Sequence, residues 1–333
     1  MELIDKHIKL LLQHRDLQNP NSFEDLGYNF FGPIVFNFFD WLRKELDGCD
    51  LVLFNSREGY FFIKIYELFK EKYNLPKYEY FKTSRKLSTI ASLKTEQDIY
   101  DTFKLHRYSG SLNALLKNRF GIDIEDNFDI DTSKEIPNLS KYVNDILNNA
   151  KRVRSEYGKY VKDVIGNSKN VIMVDSGFQG TTQYNIQNTF AVELKGRYIT
   201  YKGNLPLKDT KGFCEFYKAN FKDNIIFFES VFTDKIGTYI DITDNKFVNE
   251  NIEVLFFDEK EKIVNGVLQF IKDVFDLQMD YEISYEYPDY IFDLMCKPIS
   301  KQRMIDEYPY HSSCDVVMFP KNKWLYSKIF SVQ

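Results

Sequence analysis

The sequence predicts an α/β protein with an open, mainly parallel sheet, a helical insertion and an additional helical C-terminal part. Three observations carry that expectation. Two short apolar runs, Leu51-Val52-Leu53-Phe54 and Val171-Ile172-Met173-Val174, have the unbroken hydrophobic character of strands buried on both faces. Each leads into a loop of small and polar residues and then into helical periodicity, over Tyr60–Lys72 in the first case and to about Phe190 in the second. Between them, from Thr95 to Gly166, strand signals are scarce, which places a helical insertion at about 95–165.

Taken in chain order, Leu3–Leu12 has helical spacing that ends at Pro20-Asn21-Ser22, so residues 1–26 read as an N-terminal helix. A second helix runs from Pro33 to Leu46 after the Gly32-Pro33 break, with Phe36, Phe39, Trp41 and Leu42 as its apolar surface. The strand at Leu51 and the helix after it are followed by a strand at Tyr78–Phe81, which completes a βαβ unit and enters the polar segment Lys82-Thr83-Ser84-Arg85-Lys86. Leu112–Leu116 and Leu139–Ile165 read as helices on either side of an acidic stretch, Asp123–Glu135. After Val171–Val174, strands fit Lys195–Tyr201 and Ile225–Phe228, and Phe257–Leu277 is helical. The sheet domain thus spans 27–245, and 246–333 forms a helical and irregular extension packed on it.

Composition limits the function. A formal charge of -5 excludes a protein built to clamp nucleic-acid phosphates with a basic face, so any anion site is local. Cys49, Cys214, Cys296 and Cys314 form no CxxC pair, and His7, His14, His106 and His311 are scattered, so neither zinc nor a disulfide framework is expected. With 30 Phe and 23 Tyr, large aromatic cores are expected. The N-terminus lacks the uncharged apolar core of a signal peptide, and no apolar run reaches the ~18 residues of a membrane span. A cytoplasmic protein is expected, with peripheral association at the inner face of the membrane compatible with it.

The chemistry concentrates at Asp175-Ser176-Gly177-Phe178-Gln179-Gly180-Thr181-Thr182. A buried strand ending in an acid, a small-residue loop and a helix opening on two threonines bring amide donors, hydroxyls and the positive end of a helix dipole to one point, which suits a phosphate. A tight strand-to-helix turn with a threonine cap explains the same residues without a ligand. Two familiar phosphate loops do not fit. Thr181 stands where a Walker loop needs Lys, and Gly177 and Gly180 alone do not make the dinucleotide fingerprint. A second loop, Asn55-Ser56-Arg57-Glu58-Gly59, occupies the same strand-to-helix position earlier in the chain, and Arg57 with Arg85 and Lys86 supplies cations suited to phosphate oxygens.

Four apolar residues, an acid, a short loop and Gly180-Thr181-Thr182 together resemble the diphosphoribosyl-binding motif of type I phosphoribosyltransferases. The resemblance implies that family's kind of sheet, with Asp175 on the ribose hydroxyls, Gln179, Gly180, Thr181 and Thr182 around the 5-phosphate, and Ser176 and Gly177 also in the substrate site. It also implies that Ser56, Arg57 and Gly59, with Arg85 and Lys86, hold the diphosphate. The chain departs from the pattern at Ser176, where the family has a second acid. More particularly, Gly32-Pro33 before an aromatic helix ending in Trp41-Leu42, Arg57-Glu58-Gly59-Tyr60-Phe61, Ser84-Arg85-Lys86, Val174–Gln183 and Phe228-Glu229-Ser230-Val231-Phe232 resemble proteins of bacterial capsule and O-antigen gene clusters. These often accompany haloacid dehalogenase-like phosphatases. The likeness covers roughly residues 27–240.

What this likeness implies is a glycan ribofuranosyltransferase. It would move a 5-phosphoribosyl unit from phosphoribosyl diphosphate, with Mg2+ carried mainly on the diphosphate and touching Asp175, to a hydroxyl of a glycan or lipid-linked glycan with inversion. A separate phosphatase would then remove the 5-phosphate, alongside other polysaccharide-assembly enzymes. Glu58, Glu229 and Asp175 are the candidates for general base. Two other readings stay open: a nucleotide-sugar glycosyltransferase using Asp129-Ile130-Asp131, residues that otherwise read as part of a solvated acidic loop, and a non-catalytic binding module of phosphoribosyltransferase type.

Overall fold

The computed structural model describes residues 22–105, 108–203, 205–216, 228–229, 231–251 and 257–276. It opens with α1 (Phe23–Leu26), a π-helical turn (Gly27–Phe31) and α2 (Gly32–Glu45), with Pro33 in the first turn of α2, where its missing N–H costs nothing. Strand β1 (Leu51–Asn55), helix α3 (Gly59–Lys72) and strand β2 (Lys77–Phe81) form the expected βαβ unit. The chain then crosses back through α4 (Arg85–Ser92), α5 (Glu96–Leu105), β3 (Ser109–Ser111), α6 (Leu112–Phe120), β4 (Asp129–Asp131) and α7 (Val143–Ile165). Strand β5 (Val171–Phe178), α8 (Thr181–Phe190), β6 (Lys195–Tyr201) and β7 (Thr210–Gly212) complete the sheet. A hairpin of β8 (Tyr239–Thr243) and β9 (Lys246–Asn249) precedes α9 (Phe257–Asp276).

Among the described residues the central sheet has five strands, all parallel, in the order β2-β1-β5-β6-β7. The expected open α/β fold is the one observed. Alternation along the strands sorts the core into two layers. Val52, Phe54, Ile172 and Val174 face α2, α3 and α9, whereas Leu51, Leu53, Val171 and Met173 face the helices of the insertion and α8. The first layer is largely aromatic: Phe38 lies 5.9 Å from Phe62 and 5.6 Å from Phe213, and Phe36 lies 5.7 Å from Phe69.

This sorting positions the site. From β1 the chain moves outward to β2 through α3 on one face, and from β5 it moves outward to β6 through α8 on the other. The two crossovers diverge, and the crevice beyond the C-terminal ends of β1 and β5 is where ligands enter sheets of this order. Register deepens it. Strand β1 pairs with β5 only as far as Phe54 opposite Val174, whereas β5 runs on beside β6 to Phe178 opposite Tyr201.

The structure corrects several expectations. The loop expected from Asp175 is shorter, because Asp175–Phe178 continue β5 by pairing with β6, which leaves Gln179 and Gly180 as the whole connection to α8. Of the strand expected at Ile225–Phe228, the first three residues lie outside the described ones. Phe228 is helical, its carbonyl accepting from Phe232 N–H at 3.3 Å while the two rings stack at 4.3 Å. Asp129–Asp131 are not loop but a strand paired antiparallel with Ser109–Ser111. The hairpin turns at Asp244 and Asn245, both at positive φ, the geometry of a tight two-residue connection. The division set by sequence between 245 and 246 falls inside that turn. The helix expected at Leu3–Leu12, the tail from Tyr281, all four histidines, Cys296 and Cys314 lie outside the described residues.

Residues 257–276 do pack on the core. Helix α9 crosses the π-helical turn so closely that a Cβ at Gly27 would stand 1.8 Å from the Ile263 carbonyl oxygen, and one at Gly266 would stand 2.0 Å from that of Glu24. Tyr28 Oη also donates to Asp273 Oδ2 at 2.6 Å.

Candidate active site

A cavity of about 630 Å3 opens at the predicted crevice and gathers residues from both strand-end loops, the start of α4, the insertion helices and the segment at 229–238. Of the residues that the phosphoribosyltransferase resemblance singles out, all line it except Gly59. Gly59 opens α3 against the end of β1, where a Cβ would lie 2.9 Å from the Phe54 carbonyl oxygen.

On the β5 side, Gly180 is the N-cap of α8 at φ 70°, ψ 19°, and no side chain caps the helix. The left-handed backbone needs glycine, and a Cβ would meet Leu207 Cδ1 at 2.6 Å. The first-turn amides of an α-helix have no partner inside the helix, and Thr181 and Thr182, which open α8, both line the cavity. Gln183, by contrast, is a buried structural residue. Its Nε2 donates to the Leu194 carbonyl at 2.9 Å, and its Oε1 accepts from Tyr198 Oη at 3.0 Å.

On the β1 side, the loop is tied down by side chains. The Ser56 hydroxyl donates to the Thr83 carbonyl and accepts from Thr83 N–H at 3.2 Å, so it joins the ends of β1 and β2. Arg57 stands at φ 79°, a left-handed conformation unusual for a residue with a side chain. Two contacts hold it there. Its N–H donates to Tyr80 Oη at 3.1 Å, and its carbonyl accepts from Asp234 N–H at 3.2 Å. Tyr80 Oη in turn donates to Asp234 Oδ2 at 2.9 Å, closing the clamp. Backbone strain of this kind costs on the order of 1–3 kcal/mol and persists where surrounding contacts over-determine it. Tyr80 and Asp234 escaped sequence reasoning, as did Asn55, whose Nδ2 donates to Asp175 Oδ2 at 2.7 Å across 120 residues.

Three acids meet in the cavity. Asp175 Oδ1 accepts from Ser176 N–H at 2.7 Å, and Ser176 Oγ donates to Glu229 Oε1 at 2.8 Å. Ser176 thus brings a carboxylate 53 residues distant beside Asp175. Burial raises the affinity of each acid for its proton, and repulsion from neighbouring carboxylates adds to it at Glu58 and Glu229. Glu58 is pushed up to about 8 by burial, with Glu229 and Asp175 adding to the effect and Arg57 opposing it. Glu229 is pushed up to about 7 by burial, against the Ser176 hydrogen bond. Asp175 is raised by burial, against the donors Asn55 and Ser176 N–H.

The two cations after β2 serve different ends of the cavity. Ser84 caps α4, accepting from Leu87 N–H at 2.9 Å, and Arg85 is exposed at the mouth, where its charge acts on Asp175 and Glu229. Lys86 is half-buried and turned toward α6 and the hairpin; its charged neighbours are Glu250, Asp241, Lys117 and Asp123, and burial lowers its pKa. Asp129 and Asp131 do not line the cavity. Asp131 Oδ1 accepts from Ser133 N–H at 3.0 Å and from its hydroxyl at 2.6 Å, so its carboxylate shapes the turn after β4.

Compared with known proteins, the chain matches no family model and no curated protein. Among the described residues, no helix is long and apolar enough to cross a membrane, and no three His, Cys, Asp or Glu side chains are grouped to hold a metal ion.

Proposed function

We propose that the protein is a phosphoribosyl-diphosphate-dependent glycosyltransferase that attaches a 5-phosphoribosyl unit to a glycan hydroxyl with inversion. One observation carries the reading: an open helix start at Gly180–Thr182, a clamped Arg57 and the paired acids Asp175 and Glu229 face one cavity at the switch point of the sheet. A donor with a phosphate at one end, two ribose hydroxyls in the middle and a diphosphate at the other matches that order of groups. Thr181 and Thr182 bind the 5-phosphate, Asp175 the ribose hydroxyls, and Arg57 with Arg85 the diphosphate.

In the reaction the bond from C1 to the diphosphate oxygen breaks, a bond from C1 to the acceptor oxygen forms, and diphosphate leaves with the electron pair. Negative charge grows on the leaving group, where fixed guanidinium groups stabilise it. The acceptor hydroxyl gives its proton to Glu229, whose pKa near 7 suits a base at neutral pH and which Ser176 orients. Glu58 is more basic and less exposed; its raised pKa keeps it protonated at neutral pH beside two other acids. The donor set fits Mg2+ carried on the diphosphate, since Mg2+ in such sites takes one or two carboxylates plus phosphate oxygens, and Asp175 would provide a carboxylate. When bound, it neutralises charge on the diphosphate.

The test is calorimetric titration with phosphoribosyl diphosphate and Mg2+, followed by incubation with lipid-linked glycan acceptors and mass spectrometry. Binding in the micromolar range and a phosphopentose mass addition with diphosphate release are expected. Absence of donor binding overturns the reading, and binding without turnover on any acceptor favours a sensing module.

A further inference from the structure

The cavity does not end at the donor groups. Its far wall comes from the insertion, where Tyr108 is the one aromatic side chain lining the cavity among the described residues. Local contacts hold that ring in place. Tyr108 N–H donates to Thr132 Oγ1 at 2.7 Å, and its carbonyl accepts from Thr132 N–H at 2.9 Å. Its hydroxyl donates to the Ser111 carbonyl at 3.1 Å, at the start of α6. Gly110 makes room for the hydroxyl end: it stands at φ 145°, and a Cβ there would lie 2.7 Å from Tyr108 Oη. With its polar tip tied to the backbone, the half-buried Tyr108 offers the cavity its ring rather than its hydroxyl.

The wall around the ring is polar, with Leu115 its one aliphatic side chain. Asn118 stands one turn beyond Leu115 on α6, and Thr102, whose hydroxyl donates to the Ile99 carbonyl at 2.8 Å, keeps lone pairs for an incoming hydroxyl. Arg119 connects these residues. It follows Asn118, its guanidinium lies 4.7 Å from the ring centroid of Phe103, next to Thr102, and its charge acts on Tyr108. Lys86, at the near edge, has Glu250 as the foremost charge acting on it. Both cations thus have partners inside the protein, and the wall does not call for an anion. An aromatic face beside an amide and a hydroxyl suits a ring that is apolar on its C–H face and hydroxylated at its edge. Resting on the transferase reading above, we infer that Tyr108 is the platform of an acceptor site for an uncharged pyranose, whose C–H face lies on the ring while Asn118 and Thr102 take its hydroxyls. The acceptor is therefore a neutral sugar end, not an acyl chain, an acidic sugar or a sugar phosphate.

Saturation-transfer NMR on the full chain tests this with the methyl glycosides of glucose, galactose and mannose and with glucuronic acid, each with and without phosphoribosyl diphosphate and Mg2+. At least one methyl glycoside binds the donor-loaded protein more tightly than glucuronic acid does. In protein carrying 13C-labelled tyrosine, that sugar shifts the ring signals of Tyr108, which Tyr108→Phe identifies by their loss. Tyr108→Ala weakens the sugar about five-fold or more, whereas Tyr108→Phe, which keeps the ring, stays within about two-fold of the native protein. Tyr108→Leu fills the space without an aromatic face, weakens the sugar as alanine does, and serves in its place if the alanine variant melts as unfolded. All the variants that fold leave donor affinity within about two-fold. Tighter binding of glucuronic acid, unchanged sugar binding in Tyr108→Ala and Tyr108→Leu, equal losses in Tyr108→Phe and Tyr108→Ala, or displacement of the sugar by diphosphate overturns the inference. Donor binding with no binding of any methyl glycoside overturns the inference and leaves the transferase reading standing. Sugar binding at Tyr108 with no donor binding does the reverse, and binding of neither overturns both.

Discussion

On the transferase reading, the two loops that flank the crevice meet the same task by opposite means. The loop after β5 has two residues, Gln179 and Gly180, and offers backbone: a glycine in the left-handed region and a helix start without a side-chain cap. The loop after β1 offers side chains, and its backbone is held by distant contacts from Thr83, Tyr80 and Asp234. Donors of fixed direction come cheaply from a helix end, whereas a guanidinium must be aimed by bonds to its peptide. The first loop therefore depends on one residue's conformation, and the second on a network.

The largest expected effect falls between the two loops. Asp175→Asn keeps one oxygen for Ser176 N–H and puts an amide N–H where Asn55 donated, which Asn55 can meet by reversing its own amide. The charge is removed, so turnover falls by about two orders of magnitude or more while the melting temperature holds or rises. Steady-state kinetics beside calorimetric unfolding checks both halves, and a fall in stability equal to the loss of activity would blur the distinction. Next comes the network. Tyr80→Phe removes the hydroxyl shared by Arg57 N–H and Asp234, leaving a buried acceptor and donor unmet, at about 1–3 kcal/mol. Donor KM rises with it, and Arg57→Gly in the same background recovers stability without recovering donor affinity.

Gly180→Ala places a side chain at φ 70° and against Leu207, and costs about 1–2 kcal/mol. Denaturant unfolding measures the cost, and weakened binding of ribose 5-phosphate, but not of diphosphate, locates it in the β5 loop. The smallest effect is that of pH. Glu58 and Glu229 hold protons more tightly folded than unfolded, so their contribution to stability is complete below about pH 4.5 and is lost as pH rises through 7 and 8. The ligand-free protein therefore melts lower at pH 8.5 than at pH 5, by a few degrees. Glu229→Gln flattens that slope and removes the limb of the activity profile near 7.

The same contrast explains what was legible in the sequence. Val171–Val174, Asp175 and Gly180-Thr181-Thr182 are contiguous, so a buried strand and an open helix start could be read from neighbouring residues. Tyr80, Asp234 and Asn55 join the site through partners 23, 154 and 120 positions away, and no local pattern marks them. Glu229 was read as a candidate base, but its place beside Asp175 depends on Ser176, 53 positions distant. Strand β5 was read too short because Asp, Ser and Gly are poor strand formers, and pairing with β6 overrides that preference. The hairpin at Tyr239–Asn249 carries one local signal, the Asp244-Asn245 pair between two alternating segments. Strands β3, β4 and β7 have three residues each, too few for any periodicity to register.

The close crossing of α9 over the π-helical turn bears on how the chain is made. Tyr28 and Asp273 meet across 245 residues, so the aromatic surface of α1 and α2 leaves the ribosome long before its cover is synthesised. Helix α3 covers Phe36, Phe38 and Phe39 early, but the face at Gly27, Tyr28 and Gly32 packs on α9. Until residues 257–276 arrive, that part is an apolar patch of the kind that chaperones hold.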